Sequence, residues 1–139
     1  MTSIERFGSG ARWESLVGYS RVVRAGDWVL VAGTTATLPD GEFAGIGDPE
    51  AQARQTIANI EAALARAGAT LADVVRTRIY VTEIGQWEAI GRAHAAAFGA
   101  APPVSAMVQV AAFVDPRMLV EIEADAWSPP GRLPTMGRR

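Results

Sequence analysis

The stretch MLVEIEADAW, residues 118–127, alternates more cleanly than any other part of the chain. Val120, Ile122, Ala124 and Ala126 fall on one face of an extended strand, and Glu121, Glu123 and Asp125 fall on the other. A period of two marks a strand, because helical spacing would scatter the apolar positions around the axis. The chain must therefore contain a sheet with one face packed on an apolar layer and a set of acids on the opposite face.

The other segments fit around that strand. Runs at 20–25 (SRVVRA) and 28–32 (WVLVA) flank Gly26-Asp27, a hairpin signal. Residues 34–47 carry several glycine and proline breakers and read as a loop. Asp48 and Pro49 then open a helix, as N-cap and first helical residue. Ala53, Ile57, Ile60, Leu64 and Ala67 form its apolar stripe, and Gly68 can take the left-handed conformation that stops it. Residues 74–82 (VVRTRIYVT) predict a strand with Val75, Thr77, Ile79 and Val81 on one side and Arg76, Arg78 and Tyr80 on the other. A second helix over 86–98 places Trp87, Ile90, His94 and Phe98 on one stripe, and Gly99 ends it. Pro102-Pro103 forces extended backbone before residues 104–113, where Val104, Ala106, Val108 and Val110 share a face.

This order predicts an α+β fold, a mostly antiparallel sheet with two helices on one face. Residues 1–127 form one domain, and residues 128–139 have the composition of a Pro/Gly/Arg tail. The uncovered face mixes aliphatic, aromatic and charged side chains, which suits an interface between subunits.

Composition narrows the chemistry. The absence of cysteine excludes disulfides, thiolate nucleophiles and cysteine-ligated zinc. All 13 basic residues are arginine, which excludes a Schiff-base lysine. His94 is the single histidine, so a histidine-cluster metal site is impossible. The net charge of −2 argues against a basic stripe and so against a nucleic-acid partner. No apolar run approaches the ~20 residues a membrane span needs. The start MTSIERFGSG lacks a basic-then-apolar leader, so a cytoplasmic location is expected.

Over about residues 17–127, in order and spacing, the segments GYSRVV, WVLVAGTTA, QARQTIANIEAALARAGATLADVV, RTRIYVT and PPVSAMVQVAAFVDPRMLVEIEADAW resemble the Rid (reactive intermediate deaminase, YjgF-type) family. The resemblance implies a chorismate-mutase-like fold, a homotrimer, and small-molecule clefts at the subunit interfaces. It implies hydrolysis of reactive enamines and imines to ketoacids and ammonia, with no metal or organic cofactor. It also places the last strand beside strand 74–82, where its acids would face Arg76 and Arg78.

Deaminating members hold the substrate carboxylate with an arginine on the strand after the proline pair, through its planar two-pronged fork. Aligning Pro103 with the family proline puts Ser105 there, and serine cannot make the fork. The family often has an asparagine one turn after an aromatic; here the aromatic is Trp87 and the matching position is Gly91. Glu121 matches the carboxylate that positions water, Tyr19 the N-terminal tyrosine, and Gly33 the backbone glycine of the cleft, followed by Thr34. Met107 takes a position often held by a small or sulfur-bearing residue. Glu121 is thus the catalytic candidate, with Tyr19, Gly33, Thr34, Trp87, Gly91, Ser105 and Met107 as substrate-binding candidates. Arg21 and Arg92 are candidate replacements for the missing cation.

Each candidate also has a purely structural reading. Glu121 could be an ion-pair partner, Tyr19 an interface residue, and Trp87 core. His94 reads better as a packed histidine than as an acid–base group, and Ser105 has no base partner visible in the sequence. Three functions compete: a Rid-like hydrolase, a ligand-binding or regulatory protein without turnover, and the RNA-cleaving or translation-inhibiting role ascribed to some relatives. The third ranks last, because one histidine cannot serve as both general acid and general base.

Overall fold

The computed structural model describes residues 3–131. Its sheet has six strands: β1 (Ile4–Phe7), β2 (Val22–Ala25), β3 (Trp28–Thr34), β4 (Val74–Val81), β5 (Val104–Gln109) and β6 (Val120–Trp127). Their spatial order is β1-β2-β3-β6-β4-β5, antiparallel throughout except for the parallel β4–β5 pair. Helices α2 (Pro49–Arg66) and α3 (Trp87–Phe98) pack against each other on one face, and a short α1 (Arg12–Val17) precedes the hairpin. The α+β architecture read from the sequence is the one observed.

Local chemistry explains the elements. The Asp48 side chain accepts from the Ala51 amide at 3.1 Å, closing the first turn of α2. Gly68, with φ of 83°, lets the chain leave the helix. The stripe Ala53, Ile57, Ile60, Leu64 and Ala67 is buried, against Val29 and Val31 of β3 and Ile122, Ala124 and Ala126 of β6. Gln52 is fully buried but satisfied, donating to the Arg117 carbonyl at 2.8 Å and accepting from the Leu119 amide at 2.9 Å.

Three features depart from the sequence reading. Strand β1 and helix α1 precede the first element expected. Val75 is not on the buried side: β4 has an irregularity against β6 between Val74 and Arg76, which turns Val74 inward at 3% exposure and Val75 outward at 43%. Alternation resumes at Thr77, Ile79 and Val81. Third, Ser128 is buried, its amide bonded to the Asp27 carbonyl at 2.7 Å, so packing extends past residue 127. The rest of the expected tail, from residue 132, lies outside the described residues.

On the face away from α2 and α3, the expected charge ladder forms. Arg76 pairs in register with Asp125, Arg78 with Glu123 and Tyr80 with Glu121. Arg78 approaches both Glu123 and Asp125 at 3.4 Å, and Tyr80 donates to Glu123 at 2.8 Å. That hydrogen bond, first among its neighbours' effects, raises the Tyr80 phenol above its ordinary range. The same face exposes Trp28, Leu30, Trp127, Val104 and Val108, each by 43% or more.

Candidate active site

Strands β3 and β6, the α1 segment, one face of α2 and the loops around residues 35–43 and 112–118 line an open cleft of about 1300 Å³. Tyr19, Arg21, Gly33, Thr34 and Glu121 all line it. Glu121 comes from β6, on the face of Glu123 and Asp125, and sits against Gly33 of β3. A Cβ on Gly33 would lie 2.9 Å from the Glu121 carboxyl carbon, so only glycine lets the carboxylate rest there. Among the described residues no hydrogen bond or ion pair holds the Glu121 carboxylate. Burial, then the neighbouring charge of Glu123, push its pKa up, with Arg21 pulling the other way. Such a carboxylate is a stronger base than an exposed one and keeps its lone pairs for a ligand or water.

Arg21 organises the opposite wall. It donates to the Gly33 carbonyl at 2.7 Å, to Thr34 Oγ1 at 3.0 Å and to the Tyr19 hydroxyl at 3.3 Å. Its Nε faces Glu14 at 3.4 Å. Burial alone would raise Glu14, but the Ser9 hydroxyl and amide, with Arg21, outweigh it and hold the carboxyl below its ordinary value. Arg21 is therefore in the cleft, yet its charge is already balanced and most of its donors are used. Arg92 is not a cleft residue; it donates to Glu50 at 2.8 Å on the exposed surface of the helix pair.

Asn59 of α2 fixes the floor, donating to the Thr35 and Thr37 carbonyls at 2.9 Å each. At the mouth, Arg117 stacks on Phe43 at 4.6 Å and clamps Asp115, whose carboxyl its hydrogen bonds hold down at about 2. Asn59 and Arg117 escaped the sequence reading, because Asn59 bonds the backbone carbonyls of a loop and the Phe43 ring on which Arg117 stacks lies far along the chain. The buried Gln52 and half-buried Asn59, polar residues beside the apolar stripe of the helix, were the available signal.

The remaining candidates lie elsewhere. Ser105 bonds Thr77, which is fully buried on the helix-covered face, and Met107 of the same strand packs on the core beneath the helices. Trp87 is 56% exposed at the start of α3, neither in the core nor in the cleft, and the Gly91 backbone has open space beside it. Within one chain, then, Glu121 and Ser105 stand on opposite faces of the sheet, two strands apart. His94 is a packed residue, its ring 4.7 Å from Phe98 and its Nε2 2.8 Å from Thr77 Oγ1. Among the described residues no group of three or more His, Cys, Asp or Glu side chains comes together to hold a metal, and no helix is long and apolar enough to cross a membrane.

The family model for endoribonuclease L-PSP matches residues 9–128. An uncharacterized protein of Streptomyces coelicolor, SCO2049, is 39% identical over 129 residues, covering 91% of this chain and 96% of the relative. A RutC family protein of Pyrococcus abyssi is 30% identical over 109 residues, covering 78% of this chain and 85% of its own. The crystal structure of Rv2704 from Mycobacterium tuberculosis, a member of the YjgF/YER057c/UK114 family, superposes with a TM-score of 0.83 at 54% identity, covering 90% of this chain and 99% of that one.

Proposed function

Because the chain belongs to the endoribonuclease L-PSP family, the YjgF/Rid group, we propose that it assembles as a homotrimer and hydrolyses a small imine or enamine in a cleft completed by a second copy. The observation that carries this reading is Glu121, an unpartnered, half-buried carboxylate facing an open cleft beside a glycine that makes room for it. In the proposed reaction Glu121 accepts a proton from water as its oxygen attacks the C=N carbon. That proton passes to nitrogen and gives a carbinolamine; Glu121 then takes the proton of the new hydroxyl and delivers it to nitrogen as the C–N bond breaks, so that a carbonyl compound and an amine or ammonia leave, an enamine entering the same path after tautomerising to its imine.

The requirement for a second copy is geometric. Ser105 and Met107 sit on the edge strand β5, and Trp87 and Gly91 on α3, on the other side of the sheet from Glu121. No side-chain rotation brings them to it, whereas an apposed copy can. The exposed Trp28, Leu30, Trp127, Val104 and Val108 supply apolar surface for such an assembly.

Binding without turnover is the second reading. It is favoured by Ser105 in the arginine position and by Arg21 being committed to Glu14, Gly33, Thr34 and Tyr19. RNA cleavage fits least well, since the single histidine is packed behind Thr77. The deciding experiment generates enamines in situ and follows ammonia release with wild type and Glu121→Gln. Hydrolysis expects accelerated release that the variant loses; equal rates with and without protein, together with saturable binding, would favour the second reading.

A further inference from the structure

Three side chains outside the cleft form a hydrogen-bonded relay. Thr77 Oγ1 lies 2.8 Å from Ser105 Oγ and 2.8 Å from His94 Nε2. Thr77 is fully buried, while Ser105 reaches the surface of the edge strand. These residues come from β4, β5 and α3, so the fold assembles the relay from three separate elements.

A threonine hydroxyl has one hydrogen and can donate to only one of these neighbours. Two arrangements satisfy the chain. In the first, His94 Nε2–H donates to Thr77, Thr77 donates to Ser105, and the Ser105 hydrogen is free for a ligand acceptor. In the second, Ser105 donates to Thr77, Thr77 donates to a bare Nε2, and the Ser105 lone pairs are free for a ligand donor. Moving between them shifts the His94 proton from one ring nitrogen to the other and changes no charge. Burial depresses the His94 pKa and so favours the neutral ring.

We propose that the Ser105–Thr77–His94 relay is a specificity element that reads an uncharged hydrogen-bonding group of the ligand, the amide carbonyl, amide N–H or hydroxyl, where a carboxylate would otherwise be held. This rests on the reading that a second copy brings Ser105 to the cleft. A carboxylate would find no cation at Ser105 and would face the negative Glu121 across the site. An amide finds a partner for either of its polar atoms, because the relay runs in both directions. Thr77 and His94 are positioning residues; only Ser105 meets the ligand.

The test uses 2-oxobutanamide and 2-oxobutanoate, equal in size and different in charge, with binding measured by calorimetry on the assembled protein. Wild type should bind the amide about tenfold more tightly than the acid. Thr77→Val keeps the shape and removes the hydroxyl, so the preference should collapse. Thr77→Ser should restore it, which a merely structural role would not explain, and Ser105→Ala should behave like Thr77→Val. Nitrogen chemical shifts of His94 should move toward one tautomer when the amide binds wild type and stay put in Thr77→Val. A trimer that binds the acid at least as tightly, that binds neither probe, or that keeps full preference without the Thr77 hydroxyl would overturn the proposal. A monomer by light scattering would overturn the underlying cleft reading instead, and the relay's ligand role with it.

Discussion

Glu121 and Gly33 constrain each other. With no Cβ at residue 33 the carboxylate can lie against β3; adding one displaces it. The Gly33 backbone is outside the left-handed region, so Gly33→Ala adds crowding without backbone strain. It should reduce imine hydrolysis by about ten- to a hundredfold while Tm moves by only a few degrees, since misplacing a reacting group costs rate far more than stability. Enzyme assays paired with thermal melts check this. A second prediction follows from the raised Glu121 pKa, caused by burial and then by Glu123. The folded chain holds this proton more tightly than the unfolded one. Stability is therefore lost as pH rises from the ordinary 4.5 through the raised folded value. Glu121→Gln removes that loss, so it should melt a few degrees above wild type at pH 7, with the gap closing near about pH 3.5, where both side chains are neutral. Calorimetry at the two pH values reads it; a variant less stable at pH 7 would contradict the sign. Tyr19, Gly33 and Glu121 were legible in the sequence, because each sits in a matched segment and all meet in one cleft. The partner of Ser105 was not: Thr77 is 28 residues away and His94 a further 17 from Thr77, and only the pairing of β4 with β5 under α3 brings them together.

Elements with strong local signals were the readable ones. Helix α2 announces itself by its cap, its proline and its apolar stripe, and the hairpin by Gly26-Asp27. Strand β1 has four residues whose strand character comes from pairing with β2, and α1 has no side-chain N-cap. The Val75 reversal was illegible for the same reason, since a bulge is a property of two strands and not of one. Arg24 shows how the elements are tied together. Buried in β2, it donates to the Ala67 carbonyl at the end of α2 and to the Gly26 and Ser128 carbonyls. Arg24→Leu should destabilise the fold by roughly 2–4 kcal/mol, because it strands buried carbonyls and removes a cation from a helix C-terminus. Asp48→Ala removes a single cap and should cost about 1 kcal/mol. Denaturant titrations of the two variants side by side would test that ranking; equal losses would mean that the Arg24 bonds contribute little.

At the scale of the whole molecule, the unresolved tension in a single chain is its open face. The sheet leaves two tryptophans and several aliphatic side chains exposed beside a ladder of arginine–carboxylate pairs, while the candidate ligand contacts are divided between opposite sides of the sheet. The proposed self-association would resolve both at once, covering the apolar residues and setting the Glu121 cleft of one copy against the α3–β5 edge of another. The absence of cysteine makes this open to a direct measurement, because an introduced thiol is the only one in its chain. Tyr19→Cys and Trp87→Cys chains, mixed and treated with a short bismaleimide, should give a heterodimeric crosslink from an assembly that light scattering shows to be three times the mass of one chain. A monomer in solution, or a crosslink that forms within a Tyr19→Cys/Trp87→Cys double variant but never between the two single variants, would contradict the account.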